Sequence, residues 1–144
     1  MNSDAVSIRS IVHALYDIIS GDAGEPRDWE RDKALFYPDA RMMRTGVDDA
    51  GKPWALSMSV DEYVNNVEDY FALNGFYEYE TKCRVEQFGN IAHAFSYYEA
   101  KHHPDDVEPF KRGINSIQLY HDGQRWWVVN MLWDNEREGN PLPD

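Results

Sequence analysis

The stretch RGINSIQLYHDGQRWWVVNMLWD, residues 112–134, decides the fold of this chain. It is rich in aromatic and β-branched residues and is interrupted by one turn-forming pair, Asp122-Gly123. This pattern predicts a β-hairpin with strands over 111–121 and 125–134. The sequence therefore predicts that the chain ends in two long antiparallel strands.

The predicted turn also sets which side chains share a face of the hairpin. A two-residue turn pairs His121 with Gln124 and places Asn115 opposite Asn130 on an otherwise apolar face. Buried amides need partners, so the two asparagines can hold a ligand, satisfy each other or pair across a dimer. These alternatives stay open at the level of sequence.

Both faces of WWVVNMLWD, residues 126–134, are apolar. An antiparallel sheet with one face in water alternates apolar and polar residues, so we expect both faces of this strand to be covered. The few helices of so short a chain can cover only one face. We therefore expect a homodimer formed through the sheet.

Further strands precede this hairpin. Aromatic and β-branched residues between turn signals predict antiparallel strands over 76–87 and 91–102. Two shorter extended segments, 39–45 and 53–59, flank a run of turn residues and can form a hairpin of their own. The second half of the chain is thus expected to be mainly sheet.

The first half contains the helical patterns. Apolar residues at three- and four-residue steps predict one helix over 6–19, and a second is expected over 27–36, ended by Pro38. Ser59 followed three residues later by Glu62 is a capping box, which predicts the start of a third helix. The arrangement predicts an α+β domain with about three helices.

Composition limits the possible partners of the protein. A chain of 144 residues fits one domain, which we expect over 1–136 with a flexible tail over 137–144. A net charge of −12 argues against nucleic acid and anionic membranes as partners. The single Cys83 excludes an intramolecular disulfide, and no export signal or membrane span is evident, so we expect a cytoplasmic protein.

Four segments carry a resemblance to a known family, and they are IVHALYDIISGD (11–22), LFYPDARMM (35–43), IAHAFSYYEA (91–100) and the final hairpin. With the order of helices and strands, they resemble the nuclear-transport-factor-2-like superfamily, in particular its SnoaL-like branch. The resemblance implies a strongly curved mixed or antiparallel sheet that forms a cone with a pocket, often in a homodimer. None of the four segments is catalytic.

Members of that superfamily include ketosteroid isomerase, scytalone dehydratase, limonene epoxide hydrolase, polyketide cyclases and small subunits of ring-hydroxylating dioxygenases, so the fold does not select a function. Ketosteroid isomerases place an aspartate base shortly after the Asp-Ala that opens the first strand. This chain has Met42, Met43 and Arg44 there. The resemblance therefore does not support that reaction.

The candidates for a catalytic group are His93, Tyr16 and Glu99. His93 stands in an apolar strand where a neutral imidazole can act as a base, or simply be a hydrogen-bonded core residue. Tyr16 can donate a hydrogen bond to a ligand carbonyl or fill the core. The acidic residues Glu78 and Glu80 alternate with aromatic residues and are interpreted as a solvated face.

A larger set of polar and aromatic residues is expected to line the pocket. These candidate ligand-binding residues are Tyr16, His13, Trp29, Tyr63, Asn115, Asn130 and Trp133. The run HHPDD, residues 102–106, is interpreted as a polar loop, and no metal or other cofactor is expected.

Three classes of function follow from these observations. The first is a homodimer that binds a small apolar or aromatic ligand in its conical pocket. The second is a cofactor-independent isomerase, dehydratase or cyclase that works by general acid-base chemistry. The third is a structural small subunit of an assembly like the ring-hydroxylating dioxygenases.

Overall fold

The structure, a computed structural model, describes residues 2–144 and contains three α-helices, a short 3₁₀ helix over Ser3–Ala5 and six strands. The helices are α1 (Ile8–Ile19), α2 (Trp29–Lys33) and α3 (Val60–Leu73). The strands are β1 (Phe36–Val47), β2 (Pro53–Met58), β3 (Tyr77–Phe88), β4 (Ile91–Lys101), β5 (Lys111–His121) and β6 (Trp126–Asn135). The predicted element order is confirmed.

All six strands form one open, mixed sheet in the order β2-β1-β6-β5-β4-β3. Every neighbouring pair is antiparallel except β1 and β6, which run parallel. The helices pack on one face of this sheet, which we call the inner face; the opposite face is the outer face. The predicted fold class, helices on a mixed sheet, is confirmed.

Serine caps begin the two long helices. Ser7 accepts a hydrogen bond from the backbone N–H of Ser10, whose hydroxyl in turn accepts from the backbone N–H of Ser7. The predicted capping box of Ser59 and Glu62 at the start of α3 is confirmed, with bonds of 3.1 and 3.0 Å. These caps satisfy backbone donors that have no partner within the helix.

The second helix is shorter than predicted, and Pro38 does not end it. The helix stops at Lys33, and Phe36 already begins β1, so Pro38 lies inside a strand. Pro38 is tolerated because the pairing of β1 with β6 shifts between Phe36 and Arg41, which frees this stretch from regular ladder bonds. Asp39 within the same stretch has a left-handed φ of 66°.

The final hairpin has a wider turn than the sequence predicts. His121 pairs with Trp126, not with Gln124, so the loop contains four residues. The side chain of Asp122 stabilises this loop by accepting hydrogen bonds from the backbone N–H groups of Gln124 and Arg125, at 2.8 and 2.9 Å. An aspartate that caps its own turn favours the wider loop.

A bulge in β6 then overturns the predicted pairing of the two asparagines. Leu119 pairs with Val128 but Gln118 pairs with Asn130, so Val129 is an extra residue. The extra residue moves all later side chains of β6 to the opposite face. Asn115 of β5 faces the helices, whereas the bulge places Asn130 on the outer face, where it donates a hydrogen bond to Gln118.

The C-terminal residues follow β6 along the outer face. Arg137 forms an ion pair with Asp134 at 2.6 Å, and the backbone N–H of Leu142 donates to the carboxylate of Glu136. Residues 140–143 border an outer-face groove together with Phe95. Within residues 2–144, no helix has the length and apolar character needed to cross a membrane.

Candidate functional site

A cavity of about 510 Å³ lies between α3 and the inner face of the sheet. Its wall contains several aromatic rings and three charged side chains. The residues that line it are Ile19, Arg44, Tyr63, Asn66, Val67, Tyr70, Phe71, Phe76, Glu78, Tyr98, Phe110, Lys111, Asn115, Met131, Trp133 and Asn135. This volume suits a small organic molecule.

Glu78 is held in the cavity wall by contacts between α1 and the start of β3. The hydroxyl of Ser20, which ends α1, accepts a hydrogen bond from the backbone N–H of Glu78 at 3.1 Å. Gly21 and Phe76 exchange two backbone hydrogen bonds of 2.8 and 3.0 Å. The start of β3, which carries Glu78, is therefore held by hydrogen bonds to the two residues that follow α1.

The surroundings of Glu78 change its acidity. Burial raises the pKa of the carboxyl to about 7, although the nearby Lys111 cation and the amide of Asn115 both act to lower it. A carboxyl whose pKa lies near neutrality can both accept and release a proton under ordinary conditions. Glu78 is therefore the strongest candidate for a chemically active group in this cavity.

Two cations share the cavity with Glu78. Arg44 comes from β1, where it pairs with Trp133 of β6, and Lys111 comes from the first position of β5. Burial lowers the pKa of Lys111, the Glu78 carboxylate raises it, and the Arg44 guanidinium lowers it. Among the described residues 2–144, neither cation has a carboxylate oxygen within 4.0 Å.

Asn115 links the cavity wall to a buried chain of hydrogen bonds. Its side-chain amide donates to the hydroxyl of Tyr16 at 3.0 Å, and the Tyr16 and Ser96 hydroxyls lie 2.6 Å apart. The Ser96 hydroxyl also donates to the carboxylate of Glu80. Tyr16 is buried behind the wall, and burial raises the pKa of its hydroxyl. Its hydrogen bond with Asn115 holds that side chain in place.

Aromatic rings complete the wall. Tyr63 of α3 and Trp133 of β6 meet edge to face, with ring centroids 5.9 Å apart. Tyr98 packs over Gly113, where an added Cβ would overlap its hydroxyl, and donates to the side chain of Asn135. The ring surfaces give a ligand a broad apolar contact area.

The residues predicted from sequence divide between the two faces. The structure places Tyr63, Asn115 and Trp133 around the cavity, with Tyr16 behind Asn115. His13 is exposed to solvent on α1.

Trp29 and Asn130 also lie away from the cavity. Trp29 stacks on Phe71 at 6.3 Å between ring centroids, on the side away from the cavity. Asn130 faces outward because of the bulge described above.

His93 and Glu99 lie on the outer face, away from the cavity. The Nε2 atom of His93 lies 2.9 Å from the Ser116 hydroxyl, and Glu99 accepts a hydrogen bond of 2.6 Å from Tyr79. This placement corrects the expectation that His93 or Glu99 is the active group of the pocket. The alternation of side chains along β4 puts both residues on the face opposite Tyr98.

The interpretation of Glu78 as part of a solvated face is wrong. Glu78 shares the inner face with buried Phe76 and pairs with buried Ala100, whereas Glu80 at the edge of the sheet is exposed. The sequence contains one signal for the inward position of Glu78, because Glu78 and Phe76 are two residues apart and must share a face of a regular strand. Arg44 and Lys111 carry no comparable signal.

Comparisons with known proteins bear on the fold. No protein-family model matches the chain, and no curated protein matches it in sequence. Solved structures do match it over nearly its whole length.

One is a nuclear-transport-factor-2-like protein of unknown function from Pseudomonas putida KT2440. It has a TM-score of 0.65 and 14% identity, with 94% of this chain and 90% of that chain covered. A protein of unknown function with a cystatin-like fold from Nostoc punctiforme has a TM-score of 0.64 and 9% identity, covering 92% and 95%.

An uncharacterised cystatin-like protein from Caulobacter vibrioides has a TM-score of 0.63 and 14% identity, covering 92% of this chain and 89% of that chain. The chain therefore has the cystatin-like α+β fold of nuclear-transport-factor-2-like proteins, as its resemblance implied. Assignment to the SnoaL-like branch stays a prediction. The fold by itself does not select a function.

Proposed function

We propose that the cavity binds a small organic molecule and that Glu78 acts there as a general base in cofactor-independent proton transfer. The observation that carries this proposal is a carboxyl of near-neutral pKa in the wall of a cavity large enough for a substrate. Of the three functions expected from sequence, this is the acid-base enzyme, with Glu78 in place of His93 and Glu99.

The proposed step is the removal of a proton from a carbon next to a carbonyl group. The Glu78 carboxylate takes the proton, the C–H bond breaks, and its electron pair moves into an enolate. The positive charge of Lys111 stabilises the negative oxygen of that enolate. Return of the proton to a different carbon isomerises the substrate without any oxidant or reductant.

The near-neutral pKa of Glu78 suits this task. A base of pKa 4.5 is fully ionised at pH 7 but is a weaker proton acceptor than a base whose pKa lies near the operating pH. Burial strengthens the base, and Lys111 keeps part of it ionised at neutral pH. We expect kcat/KM to rise with pH through an apparent pKa near 7.

The test measures deuterium incorporation in D₂O by proton NMR, using a panel of small aryl ketones and aryl-substituted keto acids. The wild-type protein should accelerate exchange at the carbon next to the carbonyl, and Glu78→Gln should remove about a hundredfold or more of that acceleration. Glu99→Gln is the matched control. Because Glu99 lies on the outer face, this variant should accelerate deuterium exchange as much as the wild type does.

Equal exchange rates in the wild type and Glu78→Gln would overturn the catalytic role. A direct carbon-13 NMR titration of Glu78 gives an independent check and should find a pKa near 7. Binding of panel compounds without any exchange would favour the first sequence-based alternative, a binding domain. A stoichiometric larger subunit recovered with the native protein would favour the third alternative, a structural subunit.

We also propose that the protein is a cytoplasmic homodimer formed through the outer face. Apolar side chains of β4, β5 and β6 lie on that face, and Leu132 among them is 40% exposed. Covering such a patch removes apolar surface from water, which stabilises association.

A further inference from the structure

We propose that the ligand of this cavity is a carboxylate with an aromatic body, held through its anionic group by Arg44 and Lys111. This inference rests on the proposed function, because it names the substrate class for the same cavity. It is carried by Arg44 and Lys111 and not by Glu78, and its test measures binding independently of turnover.

The first observation concerns Arg44. Its Nε–H is buried and has no hydrogen-bond partner among the described residues. Its Nη2 atom donates to the neutral amide of Asn66 at 2.7 Å. A buried guanidinium N–H without an acceptor costs free energy, and a bound carboxylate supplies the missing acceptor in the planar geometry that arginine favours.

The second observation concerns Lys111. Its Nζ atom lies 5.3 Å from the ring centroid of Phe76 and 6.0 Å from that of Tyr98, so aromatic faces surround the cation. These contacts attract the charge weakly compared with a direct carboxylate partner. Lys111 therefore remains available for an anion that enters the cavity.

The charge of the cavity opposes the charge of the protein. The whole chain has a net charge of −12, yet the ionisable lining consists of Arg44 and Lys111 against Glu78. The lining is thus positive by one charge with Glu78 ionised and by two with it protonated. A single negative charge on the ligand balances the first state, which favours a monoanionic carboxylate over a doubly charged phosphate.

The remaining wall defines the rest of the ligand. Seven aromatic residues line the cavity: Tyr63, Tyr70, Phe71, Phe76, Tyr98, Phe110 and Trp133. Such rings favour an aromatic or extended unsaturated body, which can stack on them or meet them edge to face. Among the exposed members, Tyr70 and Phe110 are placed to contact the ligand near solvent.

The experiment compares acids with their neutral amides by isothermal titration calorimetry. The probes are 3-phenylpropanoate, trans-cinnamate and 2-naphthoate, each paired with its primary amide of the same shape. We expect at least one acid to bind about tenfold or more tightly than its amide, because a charge-assisted hydrogen bond adds that much.

Two variants locate the preference. Arg44→Gln and Lys111→Gln should each reduce the acid's affinity about tenfold and leave the amide's affinity nearly unchanged, which also shows that the cavity is intact. Arg41→Gln is the matched control, since Arg41 lies on the same strand but donates to Ser57 at the surface. It should retain the wild-type preference.

The proposal is overturned if every amide binds as tightly as its acid, if no acid binds below about 5 mM, or if both variants keep the acid preference. If one variant does not fold, the other and the acid-amide comparison still decide. Glu78→Gln separates this proposal from the catalytic one. It should bind the acid more tightly at pH 8, because a like charge is removed, while losing any proton exchange.

Discussion

The side-chain amide of Asn115 donates a 3.0 Å hydrogen bond to the hydroxyl of Tyr16, and the two residues are separated by 99 positions in the chain. The bond joins α1 to the middle of the sheet, directly behind the cavity wall. Both groups are buried, so Asn115 depends on the Tyr16 hydroxyl as an acceptor that water does not replace. The position of Asn115 in the cavity is thus set by a residue that lines no part of it.

The variant Tyr16→Phe should lose this support. It removes the hydroxyl that accepts from the buried amide of Asn115 and lies 2.6 Å from the Ser96 hydroxyl, so the free energy of unfolding should fall by about 1–3 kcal/mol. Urea unfolding followed by circular dichroism measures this. The control Tyr37→Phe changes a tyrosine that is 41% exposed and should stay within about 0.5 kcal/mol of wild type. Equal midpoints for the two variants would contradict the prediction.

The variant Gly113→Ala should be destabilised for a steric reason. An added Cβ would overlap the Tyr98 hydroxyl and the backbone carbonyl of Asp134 on the crowded inner face. Relief of that overlap requires a shift of buried groups, which costs about 1–3 kcal/mol of unfolding free energy. Because Tyr98 lines the cavity, bound aromatic acids should also lose affinity.

Gly46→Ala provides the comparison for that variant. The three atoms nearest to a Cβ added at Gly46 belong to the indole of Trp54, with Cζ2 at 2.6 Å, and Trp54 is 43% exposed, so its ring can shift into solvent. Thermal unfolding should therefore show a smaller loss for Gly46→Ala than for Gly113→Ala. The reverse order would show that packing of Tyr98 against Gly113 is not tight.

Asp32 should make stability depend on pH. Its side chain is 2% exposed, its Oδ2 has no partner among the described residues, and burial raises its pKa to about 7. The folded state therefore binds a proton that the unfolded state, with a pKa of 3.8, releases. This contribution to stability is fully present below pH 4 and is lost as the pH rises through 7.

The variant Asp32→Asn removes this ionisation. Relative to wild type, the variant should gain up to about 4 kcal/mol of unfolding free energy between pH 4 and pH 8, at 1.36 kcal/mol for each unit of pKa shift. Urea unfolding at the two pH values measures the difference. A constant offset between the two proteins would contradict it, and Asp61→Asn, an exposed aspartate on α3, should show no such change.

The proposed homodimer predicts a change of mass. The wild-type protein should scatter light as a particle of twice the 16.8 kDa chain mass, and Leu132→Arg should reduce this to the single chain. The reason is that Leu132 is a half-exposed apolar residue on the outer face, where an arginine would have to be buried in the interface. Glu68→Arg, on exposed α3, is the control and should remain dimeric. A monomeric wild type would contradict the proposal.

Local sequence patterns determined the elements of this fold. The apolar spacing of α1, the capping box of Ser59 and Glu62, and the β-rich runs of the second half each depend on neighbouring residues alone. Such features are readable because helix and strand geometry impose periods of 3.6 and 2 on the chain. The failures occurred where the number of residues differed from the prediction: Val129 adds one residue to β6, and the turn after His121 contains four residues in place of two.

The candidate site was decided by tertiary structure. Asn115, Tyr63 and Trp133 were expected near the pocket, but Glu78, Arg44 and Lys111 come together only because β1 lies parallel to β6 and the sheet order brings distant strands over one cavity.

The acidity of Glu78 depends on this burial, which no local pattern encodes. The sequence by itself thus determined helices, strands and the fold they build, while the packing of those elements decided which charges are buried together and can act on a ligand.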